Sequence, residues 1–416
     1  MLVSTFHVLK QNFPVVGGAF LLVFFSVFGQ TGFIGVFLPE LREHTGLSQS
    51  ELGGYYGLAT LLSGLALIWS GKKLDHMPLL RFLNFVIIGL ALGAFTLALA
   101  PNALFVFLAF FVLRHFGQGL MVLSGNTAIN RYMDKNRGKA MAVLALAAPV
   151  HIAIFPPLAL FLLNFISWKS LWIAAGVFSL VILMPLFYSL LKNHQRSTHA
   201  LWEQKIKNQE EQASQNGTTI LNKTRMQVLK DWRFYALLAA VIVQPFNTTA
   251  IFFFQADIAS VKNISQLAFT SSFTPYMIFS LFTALISGIL IDKFGEAPSL
   301  IMQSILYFIG LLALVMASGL PGLYISLAMI GASEGFARTT GGPVLARLFG
   351  TKYLGAVKSM MFSTLILSSA LAPVLVGFLM DQDVALMTQF SFFAAYSVLA
   401  FCLLIPLIVH LTSKKD

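Results

Sequence analysis

The chain has 416 residues, of which 57% are hydrophobic and only 10% are charged. A soluble globular protein carries about a quarter charged residues, so this composition excludes that class and predicts a protein dissolved in a lipid bilayer. The single cysteine, Cys402, excludes an intrachain disulfide and a site built from several thiolates. The net charge of +11 would suit a protein that binds nucleic acid. The positions of the Lys and Arg residues along the chain explain the charge in another way.

Twelve apolar stretches follow one another along the chain, each near the ~20 residues that cross ~30 Å of hydrocarbon as a helix. They predict an all-α membrane protein with twelve transmembrane helices. The first stretch is too long for a cleaved signal peptide, so none is expected. The predicted spans are 15–38, 49–70, 82–100, 103–127, 139–164, 170–191, 233–255, 266–289, 299–318, 320–345, 355–380 and 386–411.

A polar stretch rich in Gln, Asn, Lys and Glu separates the sixth span from the seventh. This change in composition divides the chain into three parts. We predict an N-terminal six-helix bundle at 1–192, a cytoplasmic linker at 193–231 and a C-terminal six-helix bundle at 232–416.

The basic residues predict the orientation. With both termini in the cytoplasm, 22 of the 27 Lys and Arg residues lie on the inner side. Only Arg42, Lys169 and Lys262 fall in outer loops, and Arg114 and Arg338 fall inside spans. This asymmetry is typical of the positive-inside rule, and it explains the net charge without a nucleic-acid partner.

The two halves repeat each other at a nearly constant shift of 216 or 217 residues. Parallel repeats of six helices are an architecture of transporters, with the binding site near the bilayer midplane. The sequence therefore predicts two pseudo-symmetric bundles with a site between them. The matched pairs include Gly71 with Gly288, Asp75 with Asp292, Gly119 with Gly335, and Arg131 with Arg347.

Several loops resemble those of the major facilitator superfamily. The stretches "SGKKLDHMPLLRF" (70–82) and "SGILIDKFGEAPSL" (287–300) resemble its cytoplasmic loop signature, and "RHFGQG" (114–119) resembles its fourth helix. The stretches "NRYMDKNRGKAMA" (130–142) and "ARLFGTKYLGAVKS" (346–359) resemble its monocarboxylate and oxalate/formate branch. The resemblance implies bundles that rock against each other and a cytoplasmic gate, which we assign to Gly71, Asp75, Arg81, Arg131, Arg137, Gly288, Asp292, Lys293 and Arg347.

Arg114 is the leading candidate for substrate binding. It lies near the middle of its span, where a charge costs at least a few kcal/mol and therefore needs a partner inside the bundle. Its planar guanidinium suits an anionic substrate. The alternative is a structural pairing that holds the bundle together.

Glu334 and Arg338 lie four residues apart in the tenth span and therefore share one helix face. One interpretation is a proton-coupling carboxylate, Glu334, whose charge depends on Arg338 and on an anionic substrate that competes for it. The other is a permanent ion pair. His115 and His151 are further candidates for proton coupling, although a hydrogen-bonded packing histidine is the commoner case.

Polar residues in the first, second, seventh and eighth spans are candidates for substrate binding by hydrogen bonds. The alternative for each is ordinary bonding between helices. These residues are Gln30, Thr31, Asn247, Thr248, Tyr55 and Tyr276.

Together these features predict a secondary active transporter for a small organic anion such as a monocarboxylate, working by alternating access as a proton symporter. We expect a monomer in a bacterial inner membrane, with the lipid bilayer, protons and a small-molecule substrate as partners. Two other functions stay open: efflux of lipophilic compounds and nutrient sensing without transport. No enzyme, cofactor or metal site is expected, because the sequence has no phosphate-binding loop with Lys-Ser/Thr and no His-rich helix.

Overall fold

The structure, a computed structural model, describes residues 12–133, 136–192, 223–350 and 353–413, and for Asp75, His76 and Ala356 it describes the backbone alone. Regular structure in these ranges is helical. Ten helices are long and apolar enough to cross a membrane, and their ends lie within five residues of the predicted ones. They are Gln49–Leu74, Leu79–Ala98, Ala103–Tyr132, Arg137–Leu162, Trp168–Leu191, Trp232–Phe253, Gln266–Phe294, Ala297–Met316, Val357–Asp381 and Leu386–Ser413.

The first predicted span is a bent pair of helices, Phe13–Gly29 and Thr31–Thr45, which meet at 42°. Counted as one span, the pair raises the number in the described ranges to eleven. The bend follows from a tight turn at Ser26–Gly29 and an extended Gln30 (φ −89°, ψ 146°). A Cβ on Gly29 would overlap the carbonyl of Leu113, so glycine allows the bend to approach a neighbouring helix.

The tenth predicted span is the helix Gly319–Phe349, whose 31 residues extend about 47 Å. It is long enough to cross a bilayer, but Glu334 and Arg338 make it more polar than the ten helices above. The count of twelve spans therefore stays a prediction, and so do the cytoplasmic termini.

Two compact units make up the chain. The first contains Met1–Phe37 and Ala59–Thr218, and the second contains Leu38–Leu58 and Thr219–Asp416. The division after residue 218 falls within the predicted linker 193–231, of which residues 193–222 lie outside the described ranges. The predicted bounds of the three parts stay a prediction, and residues 38–58 pack with the second unit.

Polar contacts hold residues 38–58 within the second unit. Arg42 Nη1 lies 3.0 Å from Asp257 Oδ1, and Gln49 Nε2 donates to the same oxygen at 2.9 Å. The backbone N–H groups of Gln49 and Ser50 donate to the carboxylate of Asp381 at 3.2 and 3.0 Å. These amides belong to the first turn of the helix Gln49–His76, where the helix has no acceptors of its own for them.

Two glycines let the helix Gly319–Phe349 approach the helix Phe273–Phe294 closely. A Cβ on Gly331 would overlap the backbone of Tyr276, and one on Gly335 would overlap the Ser280 carbonyl. This small-x-x-x-small spacing is a common packing device in membrane helices. Glu334 directly precedes Gly335 in the chain. The close contact at Gly335 therefore also fixes the position of Glu334.

The end of the linker is fixed to the second unit by an ion cluster. Asp231 accepts from the backbone N–H of Arg233 at the start of the helix Trp232–Val241. Its carboxylate also lies 2.6 Å from Arg233 Nη2 and 2.5 Å from Lys223 Nζ. Hydrogen bonds from Arg233, and then from Lys223, hold the pKa of Asp231 well below its usual range.

Replacing Gly331 with alanine is expected to lower the melting temperature of the purified protein, because overpacking of a close contact typically costs about 1–3 kcal/mol. Gly341→Ala in the same helix is the matched control, since a Cβ there meets no atom within 4 Å. The control should be neutral or slightly stabilising, because alanine is the better helix former by about 1 kcal/mol. Equal melting temperatures for both variants, measured by thermal unfolding in detergent, would contradict the packing role.

The Asp231 cluster predicts a dependence of stability on pH. Because the folded-state pKa is lowered, its contribution is present above the unfolded pKa of about 3.9 and is lost as the pH falls below it. Asp231→Asn keeps the helix cap and removes the charge. Its melting temperature should lie below that of the wild type at pH 7, and the difference should begin to shrink as the pH falls from about 4 to 3. A constant difference across this range would refute the prediction.

Candidate functional site

The second unit contains an ion pair in the middle of a helix. Glu334 lies at the midpoint of the helix Gly319–Phe349, and Arg338 follows one turn later. Arg338 Nη2 lies 3.3 Å from Glu334 Oε1, and the two side chains are 28% and 25% exposed. Ionised side chains in a span need water-filled or protein surroundings, and each member of this pair provides the other with an oppositely charged partner.

Two glutamines extend this pair into the unit. Gln244 donates from Nε2 to Glu334 Oε2. Gln303 donates from Nε2 to Gln244 Oε1 at 3.4 Å, and the buried Ser333 donates to the Gln303 carbonyl at 2.7 Å. Both glutamines are buried. Glu334 therefore has a charged partner on one oxygen and a neutral partner on the other.

The position of Gln244 follows from a break in the seventh predicted span. This span is divided into Trp232–Val241 and Val243–Phe253. Pro245 lacks the N–H that would bond to the preceding turn, which favours a break at this point. Gln244 therefore lies in the first turn of the second piece.

Two buried tyrosines complete the cluster. The Tyr307 hydroxyl donates to the Gln244 backbone carbonyl at 3.1 Å and lies 3.1 Å from Thr248 Oγ1. Since the single hydroxyl proton of Tyr307 is used on Gln244, Thr248 is the donor in the second bond. The Tyr276 side chain interacts with both Glu334 and Arg338.

A small cleft lies beside these side chains. Its lining combines amides and hydroxyls with small and apolar groups. The lining residues are Ala240, Val243, Gln244, Gln303, Ser304, Tyr307, Ser333, Ser397, Ala400 and Phe401.

Asn247 and Tyr55, the other predicted site residues of the second unit, have different surroundings. Asn247 is buried and donates to the Val243 carbonyl of its own helix. Its Oδ1 has no hydrogen-bond partner among the residues that the structure describes. Tyr55 is half-buried, and the neighbouring Tyr56 packs on Phe253 with ring centroids 4.6 Å apart. The structure thus joins Glu334, Arg338, Tyr276 and Thr248 through shared contacts.

In the first unit, Arg114 is buried, at 2% exposure. Its Nε donates to Thr60 Oγ1 at 3.1 Å, and its Nη1 donates to the Gly29 carbonyl and Thr31 Oγ1, both at 3.3 Å. Gly29 lies at the bend of the first span, so the guanidinium occupies a place where regular helical bonding is interrupted. Gln30, the residue between the two acceptors, donates to Ser26 Oγ at 3.1 Å.

Both candidate histidines are buried against backbone carbonyls. His115 Nδ1 lies 3.4 Å from the Ser63 carbonyl, and its ring stacks on Phe111. His151 Nδ1 lies 3.2 Å from the Val23 carbonyl. These contacts suit packing histidines, and the proposed role in proton coupling stays a prediction.

Three arginines of the predicted gate contact helix ends or neighbouring loops. Arg131 donates to the carbonyls of Leu74 and Met77. Arg137 donates to the Asn130 carbonyl at 3.1 Å and the Met133 carbonyl at 3.4 Å. These contacts stabilise the end of the second predicted span and the loop that follows the fourth.

The repeat-related Arg347 has an acidic partner in the second unit. Its Nη1 lies 2.6 Å from Glu296 Oε2, and its Nη2 donates to the Leu411 carbonyl at 2.7 Å. Of the other predicted gate residues, Arg81, Asp292 and Lys293 are exposed, Gly71 and Gly288 are half-buried, and the side chain of Asp75 lies outside the described residues.

Five site residues were not predicted from the sequence: Gln244, Gln303, Tyr307, Thr60 and Glu296. Each is a polar residue within or next to an apolar span, and this was the available signal. What the sequence does not provide is the contact between helices that brings each one to Glu334, Arg114 or Arg347.

Comparison with known proteins gives a family. The model of the Major Facilitator Superfamily matches residues 19–255 and 237–416. A probable L-galactonate transporter of Escherichia coli (strain K12) is 26% identical over 186 residues, which are 42% of this chain and 40% of that protein. Monocarboxylate transporter 9 of Rattus norvegicus is 22% identical over 227 residues, 50% of this chain and 44% of that protein. The matched regions span less than half the length of either relative.

Solved structures share the fold. The nucleoside transporter NupG superposes with a TM-score of 0.70 at 14% identity, covering 94% of this chain and 98% of that one. A bacterial homologue of the human lysosomal transporter Spinster, in an inward-facing and occupied conformation, gives 0.66 at 13% identity, covering 95% and 96%. At these identities the likeness concerns the fold alone.

Replacing Arg114 with methionine is expected to lower the melting temperature of the substrate-free protein. Thr60, Gly29 and Thr31 would lose a charged donor, and bonds to charged groups are worth about 1.5–3 kcal/mol. Thermal unfolding of purified protein in detergent measures this loss. Thr60→Val removes one acceptor and should cause a smaller decrease. An unchanged melting temperature in Arg114→Met would leave substrate contact as the remaining explanation for this arginine.

Proposed function

The chain belongs to the Major Facilitator Superfamily, and we propose that it is a secondary active transporter that moves a small organic anion across the membrane together with protons. The observation that carries this proposal is the partly exposed Glu334–Arg338 pair at the midpoint of a transmembrane-length helix. Placing charge at that depth is costly, and such residues commonly mark solute or proton pathways.

The chemistry of the pair suits an anionic solute. Arg338 offers a planar donor group that fits a carboxylate, and its partner contact at 3.3 Å is looser than a close charged hydrogen bond. A carboxylate that approaches Arg338 competes with Glu334 for the same cation. The competition gives the anion a direct effect on the charge state of Glu334.

A coupled cycle follows from this competition. When the anion binds Arg338, Glu334 loses part of its electrostatic stabilisation and takes up a proton. When the anion leaves, Arg338 attracts Glu334 again and the proton is released. Net movement of the anion is thereby linked to movement of a proton in the same direction.

The names of the relatives support an anion. One relative is a probable transporter of L-galactonate and the other a monocarboxylate transporter, and both solutes are carboxylates. Because the matches cover less than half of either relative, their substrates enter here as part of the proposal. The bacterial relative likewise supports a bacterial inner membrane as the location.

Arg338 is the anion contact in this proposal, and Arg114 serves chiefly to hold the bend of the first span. The reason is accessibility: Arg338 is partly exposed, whereas Arg114 is buried on Thr60, Gly29 and Thr31. Alternating access would then depend on gate cations such as Arg131 and Arg347, which contact helix ends that must shift when the cytoplasmic side opens.

Efflux of lipophilic compounds is the rival function, since aromatic rings crowd the first unit. Phe28 and Phe33, with centroids 5.5 Å apart, are both buried, which favours a packing role for these two rings. A thermal-shift screen separates the functions. Carboxylates should raise the melting temperature of an anion carrier, and lipophilic cations that of an exporter.

The proposal predicts different effects for the two charged residues. In proteoliposomes, Arg338→Gln should raise the KM for galactonate or lactate uptake about 10- to 100-fold, as expected for loss of a charged hydrogen bond of about 1.5–3 kcal/mol. Glu334→Gln should abolish uptake driven by a pH gradient while exchange of internal for external anion continues.

The matched control is Lys230→Gln, which removes one exposed cation outside the spans. It should leave both activities unchanged. Wild-type uptake in Arg338→Gln would refute the anion contact, and an intact pH dependence in Glu334→Gln would remove that residue from coupling.

A further inference from the structure

The two oxygens of Glu334 have chemically different partners. Oε1 faces the guanidinium of Arg338 at 3.3 Å, and Oε2 accepts from the Nε2 of Gln244. A carboxylate that changes protonation state in a transport cycle needs partners for both states. The two partners differ in which protonation state of Glu334 they stabilise.

The Arg338 contact serves chiefly the charged state. Its strength depends on the negative charge of the carboxylate, so it is weakened when Glu334 becomes neutral. The Gln244 contact serves both states, because an amide N–H can donate to a carboxylate oxygen and to the carbonyl oxygen of a carboxylic acid alike. Gln244 can therefore keep its hydrogen bond to Glu334 after Arg338 has moved to bind an anionic solute.

The amide of Gln244 is oriented for this role. Gln303 donates to Gln244 Oε1 at 3.4 Å, which leaves the Nε2 end of Gln244 toward Glu334. Tyr307 donates to the backbone carbonyl of Gln244 at 3.1 Å and so fixes the chain beside the break at Pro245. The side chain and the backbone of Gln244 are thus both restrained by neighbours within the second unit.

We propose that Gln244 is a positioning residue that keeps Oε2 of Glu334 as the acceptor in both protonation states, so that the coupling proton binds to Oε1. The inference rests on the proposed function in that it assigns a partner to the proposed coupling residue. In the step itself, a hydronium ion transfers a proton to Oε1 and becomes water, the ion pair with Arg338 is released, and the Gln244 hydrogen bond is retained.

The direct test is infrared difference spectroscopy of purified full-length protein titrated with acid. Protonated Glu334 contributes a carbonyl stretching band that is absent in Glu334→Gln. In Gln244→Leu this band should move to higher frequency, because the carbonyl loses its hydrogen-bond donor. Gln303→Leu, which removes the residue that orients the amide, should produce a smaller shift of the same sign.

Ser304→Ala is the matched control, since Ser304 lines the same cleft but donates only to Leu300 of its own helix. Its band should coincide with that of the wild type. An identical band in wild type and Gln244→Leu would overturn the inference. If Gln244→Leu does not yield folded protein, the shift in Gln303→Leu decides the question, and its absence counts against the inference.

Flux provides the second measurement. In proteoliposomes with galactonate as the probe, Gln244→Leu should lower uptake driven by a pH gradient about 10-fold and change the KM for exchange less than twofold. A merely structural role would reduce uptake and exchange in equal proportion, and this result would refute positioning. In the Glu334→Gln background, Gln244→Leu should have no further effect on coupling.

The two measurements separate the inference from the proposed function. A band shift in Gln244→Leu, together with a wild-type protein that does not transport carboxylates, would support the Gln244 contact and refute the proposed function. Carboxylate transport by the wild type without a band shift in the variants would refute the inference and leave the proposed function standing.

Discussion

Hydrocarbon offers no hydrogen bonds, and the need to pair every polar group inside the protein underlies the arrangement of this chain. At the bend of the first span, Arg114 contacts the carbonyl of Gly29. At the break of the seventh, Tyr307 contacts the carbonyl of Gln244. A side chain from another helix thus contacts the backbone at each of these two irregular points. The polar residues of the spans are therefore first of all structural, and any role in transport is added to that requirement.

The two units meet this requirement in different ways. In the first, the guanidinium of Arg114 is enclosed by hydroxyl and carbonyl oxygens. In the second, Arg338 faces a carboxylate, and both side chains are partly exposed. The two units therefore hold their mid-span arginines in unlike surroundings. This asymmetry gives the second unit a group that can change charge while its surroundings remain paired, and it is why the proposed chemistry is assigned there.

Local patterns in the sequence were sufficient for some features and insufficient for others. The predicted helix ends lie within a few residues of the observed ones, because the length of an apolar stretch can be read from the sequence alone. The Glu334–Arg338 contact followed from a spacing of four on one helix. Gln244 could not be found in this way, since its role depends on a helix break that turns it toward a helix 90 residues away in sequence. The grouping of residues 38–58 with the second unit likewise depends on contacts across more than 200 residues, such as Arg42 with Asp257.

The contact between Asp381 and the start of the helix Gln49–His76 has an evolutionary consequence. The carboxylate binds the main-chain amides of residues 49 and 50, and every residue except proline supplies such an amide. Mutational drift at Ser50 would leave this bond intact, whereas loss of the acid at Asp381 would remove it at once. Selection on these main-chain bonds thus acts from one side, at Asp381, and a survey of covarying positions would overlook them.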